Sequence, residues 1–107
     1  MDKTILLAPT LDAVIVALCA DYERRERELR EGNISYRVEM EYKYLNYKML
    51  DAACEIVGCD YARTLISEIG TRLGYAKCAD YEYSERIYKE RKLETKSNIA
   101  RKLMLRD

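Results

Sequence analysis

The sequence predicts an all-α protein, a small bundle of four to five helices, on three observations. One Pro and four Gly in 107 residues supply too few turns for a β-sheet protein. Apolar residues recur at helical spacing through most of the chain, with breaks at Gly32-Asn33, Gly58 and Gly74. The third observation is the stretch Ser35 to Val57, whose apolar residues cover two faces of a helical wheel. A chain of this length forms one domain, residues 1–107, and buries roughly 65% of its unfolded surface.

The first expected helix runs from about Leu11, after Thr10 as N-cap, to Glu31, with Gly32 as C-cap. Leu11, Val14, Ile15, Leu18 and Tyr22 give its first half a core face. Its second half, ERRERELRE, alternates acid and base with only Leu29 apolar. Such a segment reads as a solvated end held by i,i+4 ion pairs, projecting beyond the core or lying on a partner.

Ser35 is placed to cap the central second helix, and the short Gly32-Asn33 connection makes the first two helices a long antiparallel hairpin. One face of the central helix carries Val38, Tyr42, Leu45, Met49, Ala52, Ala53 and Ile56. A second carries Tyr36, Met40, Tyr47, Leu50, Cys54 and Val57. Arg37, Glu41, Lys48, Asp51 and Glu55 form a polar strip, and Glu39, Lys43 and Asn46 a second polar patch. A helix apolar over so wide an arc is expected to be covered on both flanks.

After Gly58, Asp60 is the expected cap of a third helix on Tyr61, Ala62, Leu65, Ile66, Ile69 and Leu73, closed by Gly74. Gly70 inside it costs about 1 kcal/mol relative to Ala and suits close packing against another helix. A fourth helix is expected from Tyr81, capped by Asp80, to about Leu93. Ser97 or Asn98 then offers a fresh cap for a final short turn, and the sequence leaves open whether Thr95 to Asn98 breaks the helix.

Composition excludes much of catalysis. There is no histidine, no Gly-rich phosphate loop and no Ser or Cys in a nucleophile setting, so the chain reads as a non-enzyme with no catalytic residues and no cofactor. The four cysteines, Cys19, Cys54, Cys59 and Cys78, contain no CxxC pair. They read as small buried hydrophobes in a reduced cytoplasm, with no metal site. No apolar run reaches the length of a membrane span, and Asp2, Pro9 and Asp12 interrupt any signal-peptide pattern.

What remains is binding. Ten Tyr with no Phe and no Trp are too many half-polar rings for so small a core. Tyr36, Tyr44 and Tyr47 on the central helix, and Tyr75, Tyr81, Tyr83 and Tyr88 around the loop before the fourth helix, are the expected partner-binding surface. Net charge is zero, but Arg86 to Arg106 holds eight basic residues against two acidic ones. Arg86, Lys89, Arg91, Lys92 and Lys96 are therefore candidates for an acidic protein surface or nucleic-acid phosphates.

Ile69, Leu73-Gly74-Tyr75 and then Ser84, Arg86, Tyr88 and Lys89 resemble the second DNA-reading unit of AraC-type regulators. That family pairs an IA..LGF helix with a recognition helix bearing aromatic-Ser-Arg and aromatic-Lys pairs. The resemblance implies a helix-turn-helix over residues 66–92, about a quarter of the chain. It departs from the family in an interval about three residues too long and in the extra Glu85 between Ser84 and Arg86. Asp80, Glu82 and Glu85 would also face the phosphates.

The preferred reading is a small cytoplasmic adaptor, regulator or inhibitor, of the kind carried by phages and mobile elements. It binds a protein partner and also self-associates as a homodimer; direct DNA binding is the alternative.

Overall fold

The computed structural model describes residues 7–72 and 84–105. Among them the chain forms five helices and no strand: α1 (Pro9–Ala20), α2 (Tyr22–Glu31), α3 (Tyr36–Val57), α4 (Cys59–Thr71) and α5 (Glu85–Lys102). Pro9 opens α1, where its fixed φ and missing N–H cost nothing, so Thr10 lies inside the first turn and caps nothing.

The single helix expected over residues 11–31 is two. Asp21, at φ −94° and ψ 1°, separates α1 from α2. The charged segment packs against α3 instead of projecting. Arg25, in the middle of ERRERELRE, is only 3% exposed. Its Nε donates to Asn46 Oδ1 at 2.6 Å and its terminal nitrogen to the Leu18 carbonyl at 2.7 Å. Asn46 in turn donates to the Tyr22 carbonyl at 3.1 Å and to Glu26 Oε2 at 2.9 Å. Asn46, read from the sequence as part of a second polar patch, is thus the lock between α2 and α3.

Gly32, in the left-handed region at φ 75°, reverses the chain, and the Ser35 hydroxyl accepts from the Val38 N–H to start α3. Gly58 ends α3 and directly precedes α4, so Asp60 sits within the first turn of α4 rather than capping it. Arg72, at φ 57°, closes α4 in the left-handed conformation expected of Gly74. Gly74 itself, like Asp80 and Tyr81 at the expected start of the fourth helix, lies outside the described residues. The described part of that helix begins at Glu85, where Ser84 Oγ accepts from the Ile87 N–H. From there α5 runs unbroken through Thr95 to Asn98, because Asn98 spends its amide on the Ala52 carbonyl at 3.0 Å and on Glu55, not on a cap.

The core is built from Ile15, Val16 and Cys19 of α1, Tyr22 of α2, and Met49, Ala52 and Ala53 of α3. Ala62, Leu65, Ile66 and Ile69 of α4, Tyr88, Ile99 and Ala100 of α5, and Leu103 just after it complete the core. Each large aliphatic side chain buried there contributes roughly 1.5–3 kcal/mol of transfer free energy. Where α4 crosses the end of α1, Gly70 lets the backbones touch. A Cβ at position 70 would stand 2.5 Å from Ala20 N and 2.7 Å from the Cys19 carbonyl carbon.

The polar strip of α3 receives α5. Lys102 Nζ pairs with Asp51 Oδ2 at 2.8 Å and also with Glu55, and Arg101 Nη2 lies 3.7 Å from Glu55. These bonds raise the Lys102 ammonium above its ordinary range, Asp51 contributing most, and hold the Glu55 carboxyl below its own, chiefly through Lys102. Six residues earlier on α5, Lys96 pairs with Asp12 of α1 at 2.9 Å. The excess of positive charge in this segment is partly consumed by acids of α1 and α3.

Candidate docking face

Only one of the two apolar faces of α3 is covered along its whole length. On the other, Leu50, Cys54 and Val57 pack against the core, but the first half is bare. Tyr36 is 76% exposed, Met40 46%, Tyr44 48% and Tyr47 67%. At ~100° per residue these four side chains fall within an arc of about 80°, in one stripe along a rigid helix. The expectation of cover on both flanks fails here for a geometric reason. Hydrogen bonds from α5 reach α3 at Asp51, Ala52 and Glu55, while α2 engages the opposite side at Tyr42, Asn46 and Met49.

Charges of both signs border the stripe. Lys43 pairs with Glu39 at 2.7 Å, which raises the lysine above its ordinary range, and Lys48 lies 5.8 Å from the centre of the Tyr44 ring. Arg37 and Glu41 complete the border: three basic residues against two acidic ones. On the far side of α3, Arg24 of α2 bridges to the Tyr42 hydroxyl at 3.2 Å and stacks 5.8 Å over its ring.

The remaining expected site residues are scattered. Tyr88 is a correction: it is 1% exposed, its hydroxyl 3.4 Å from Glu68 Oε1 and its ring 5.3 Å from Lys92 Nζ. It serves as core, because its place on α5 faces α4 and not the solvent. Tyr75, Tyr81 and Tyr83 lie outside the described residues. Arg86 pairs with Glu90 and Lys89 with Glu85, both across one exposed helical turn. Arg91 pairs with Glu94 at 2.7 Å, and Lys96 is tied inward to Asp12. Of the recognition surface implied by the AraC-type resemblance, Arg86 and Lys89 point outward while Tyr88 does not.

Glu68 is the one buried carboxylate among the described residues. It accepts from the Tyr61 hydroxyl at 2.7 Å and borders a groove of about 510 Å³ with Glu23, Arg63, Thr64 and Ser67. A second groove of similar size runs between Leu7, Leu11, Ile56 and Leu105, with Glu94 and Arg101 at its rim. Among the described residues no cluster of three or more His, Cys, Asp or Glu could hold a metal ion, and no helix is long and apolar enough to cross a membrane.

Sequence reasoning missed two features. Met40 belongs to the exposed stripe, a placement its i, i+4 spacing from Tyr36 and Tyr44 already suggested. Cys59 is exposed and Cys54 half-buried, whereas Cys19 alone of the three described thiols is a buried hydrophobe; no spacing rule signals that difference. No protein-family model, curated protein or solved structure matches the chain.

Proposed function

We propose that this protein is a small non-enzymatic interaction module, an adaptor, regulator or inhibitor, that docks on another protein through the outer face of α3. The observation that supports this most is the contrast among its aromatic residues. Tyr22 and Tyr88 are packed inside, whereas Tyr36, Met40, Tyr44 and Tyr47 stand together on bare helix. Tyrosine offers large contact area for few rotatable bonds, and methionine adapts to irregular partner surfaces. The near-balanced border of the stripe suits a protein surface better than a row of phosphates, which calls for a strong positive field. Free thiols at Cys19, Cys54 and Cys59 accord with work in a reducing, cytoplasmic setting.

The test is affinity capture from the native host with nuclease treatment, comparing the natural chain with Tyr36→Ser/Tyr47→Ser. The expected result is a protein partner retained after nuclease and lost with the double variant, whose thermal stability is unchanged because both rings are already in water. Sedimentation of both chains at micromolar concentration separates self-association from a different partner: a dimer that the variant abolishes makes the occupant a second copy. Equal capture by both chains, with no dimer from either, overturns the reading.

A further inference from the structure

The bare stretch of α3 can be laid against a copy of itself. Its stripe, from Tyr36 to Tyr47, is about 16 Å long and ends about one turn before Asp51, where Lys102 of α5 is bonded. Two such stretches placed antiparallel, about a two-fold axis near Glu41, overlap only where both are bare. The two α5 helices then stand at opposite ends. A parallel pair would crowd both α5 helices at the same end.

The antiparallel register also matches side chain to side chain. A two-fold axis pairs each flank of a helix with the same flank of its copy. Tyr36 and Tyr47, on one side of the stripe, stand level with Tyr47 and Tyr36 of the second copy. Met40 meets its own copy and Tyr44 at the axis, a soft contact between sulfur and ring. On the Tyr36 side, Glu39 and Lys43 are already paired within one chain at 2.7 Å. Across the axis they stand level with Lys43 and Glu39 of the copy, which closes a ring of four alternating charges. On the other side Glu41 and its copy lie at the axis, with an Arg37 about 6 Å to either end of them. In a parallel pair Glu39 would face Glu39 and Lys43 would face Lys43.

We infer that, in the protein on its own, the occupant of the outer face of α3 is a second copy of this chain, held as an antiparallel two-fold pair of α3 helices. The pairing presupposes that this face is a docking surface, as proposed above, and names what covers it. Zero net charge removes long-range repulsion between copies. The exposed parts of the four stripe side chains amount to roughly 450 Å² per copy. With the stems of Arg37, Lys43 and Lys48 alongside, the pair buries about 1,200 Å² in total, the lower bound for a specific interface. The dimer is therefore expected in the micromolar range, weak enough for another partner to displace.

Sedimentation equilibrium of the full-length chain, from low micromolar to submillimolar concentration, is expected to show a monomer–dimer equilibrium. Tyr36→Ser/Tyr47→Ser should weaken it at least tenfold. Glu39→Lys and Lys43→Glu, each alone, should weaken it about tenfold by setting like charges across the axis. An equimolar mixture of those two single variants, or the double variant Glu39→Lys/Lys43→Glu, should dimerise like the natural chain, which also shows that the variants fold. Photo-oxidative coupling of mixed isotope-labelled and unlabelled chains should join Tyr36 of one chain to Tyr47 of the other. A monomer throughout the range overturns the inference, while the docking reading survives if host-protein capture is still lost with Tyr36→Ser/Tyr47→Ser. A dimer that keeps its affinity in that variant, no recovery in the mixture, or Tyr36 joined to Tyr36 also overturns it. Equal capture by both chains, with no dimer from either, fails the docking reading as well.

Discussion

Arg25 and Asn46 meet at 2.6 Å between α2 and α3, a buried guanidinium held by an amide oxygen, a carbonyl and the Met49 sulfur. Among the described residues no carboxylate pairs with it, and burial pulls its pKa below the ordinary arginine value. Neutral acceptors satisfy the charge, so losing one leaves a buried donor unmade. Asn46→Leu is expected to cost about 2–3 kcal/mol in urea unfolding. Adding Arg25→Met should recover much of that, because an apolar pair removes the desolvation penalty with the bond. A double variant as unstable as the sum of its parts would show that the two residues act independently.

The crossing of α1 and α4 reverses the usual ranking of Gly and Ala. Helix propensity alone favours Gly70→Ala by about 1 kcal/mol. The added methyl, however, meets backbone atoms of Cys19 and Ala20 that have no rotamer to escape into. Overpacking of this kind costs typically 1–3 kcal/mol, so a lowered melting temperature is the expected outcome. A rise would mean that the two helices part at little cost.

Thr95 offers a gain. It is fully buried on α5, and its hydroxyl has no hydrogen-bond partner among the described residues. Thr95→Val keeps the shape and removes the unsatisfied group, which should raise stability by about 1 kcal/mol. In a domain of this size that is roughly 4 °C or more in melting temperature by calorimetry. A loss of stability would show that the hydroxyl is satisfied in solution.

Alkaline pH should weaken the fold before mild acid does. Burial pushes the Cys19 thiol from 9.0 up to about 12, and the Asp51 and Glu55 bonds raise Lys102 above 10.5. A group whose folded pKa is raised keeps its proton longest in the native state. Its stability contribution is complete below the unfolded value and disappears as pH climbs through the folded one. The urea midpoint is therefore expected to hold steady near neutrality and fall from about pH 9 upward. Cys19→Ala should flatten that alkaline limb even if it lowers the midpoint at pH 7. Glu55, held low by Lys102, has the opposite sign: its contribution is present above the ordinary carboxylate range and lost as pH falls. Lys102→Met should remove that acid-side loss.

The sequence alone determined the helical class, the turns at Gly32 and Gly58, the Ser35 cap and the core face around Met49, Ala52 and Ala53, because capping and periodicity act within a few residues. Tertiary structure decided what the wheel left open. Two apolar faces of α3 look alike in sequence, and which one stays bare depends on where α2 and α5 make contact, a matter of long-range packing. The same cause puts Tyr88 inside and Tyr47 outside, although both are tyrosines on charged helices. It also turns ERRERELRE inward: a residue-level pattern cannot show that Asp21 will break the helix, or that Asn46 waits across the gap to satisfy Arg25. The basic segment reads as surplus charge until Asp12, Asp51 and Glu55 are seen opposite it. Charge in a sequence is summed along the chain, but its effect is set by what lies within a few ångströms in space.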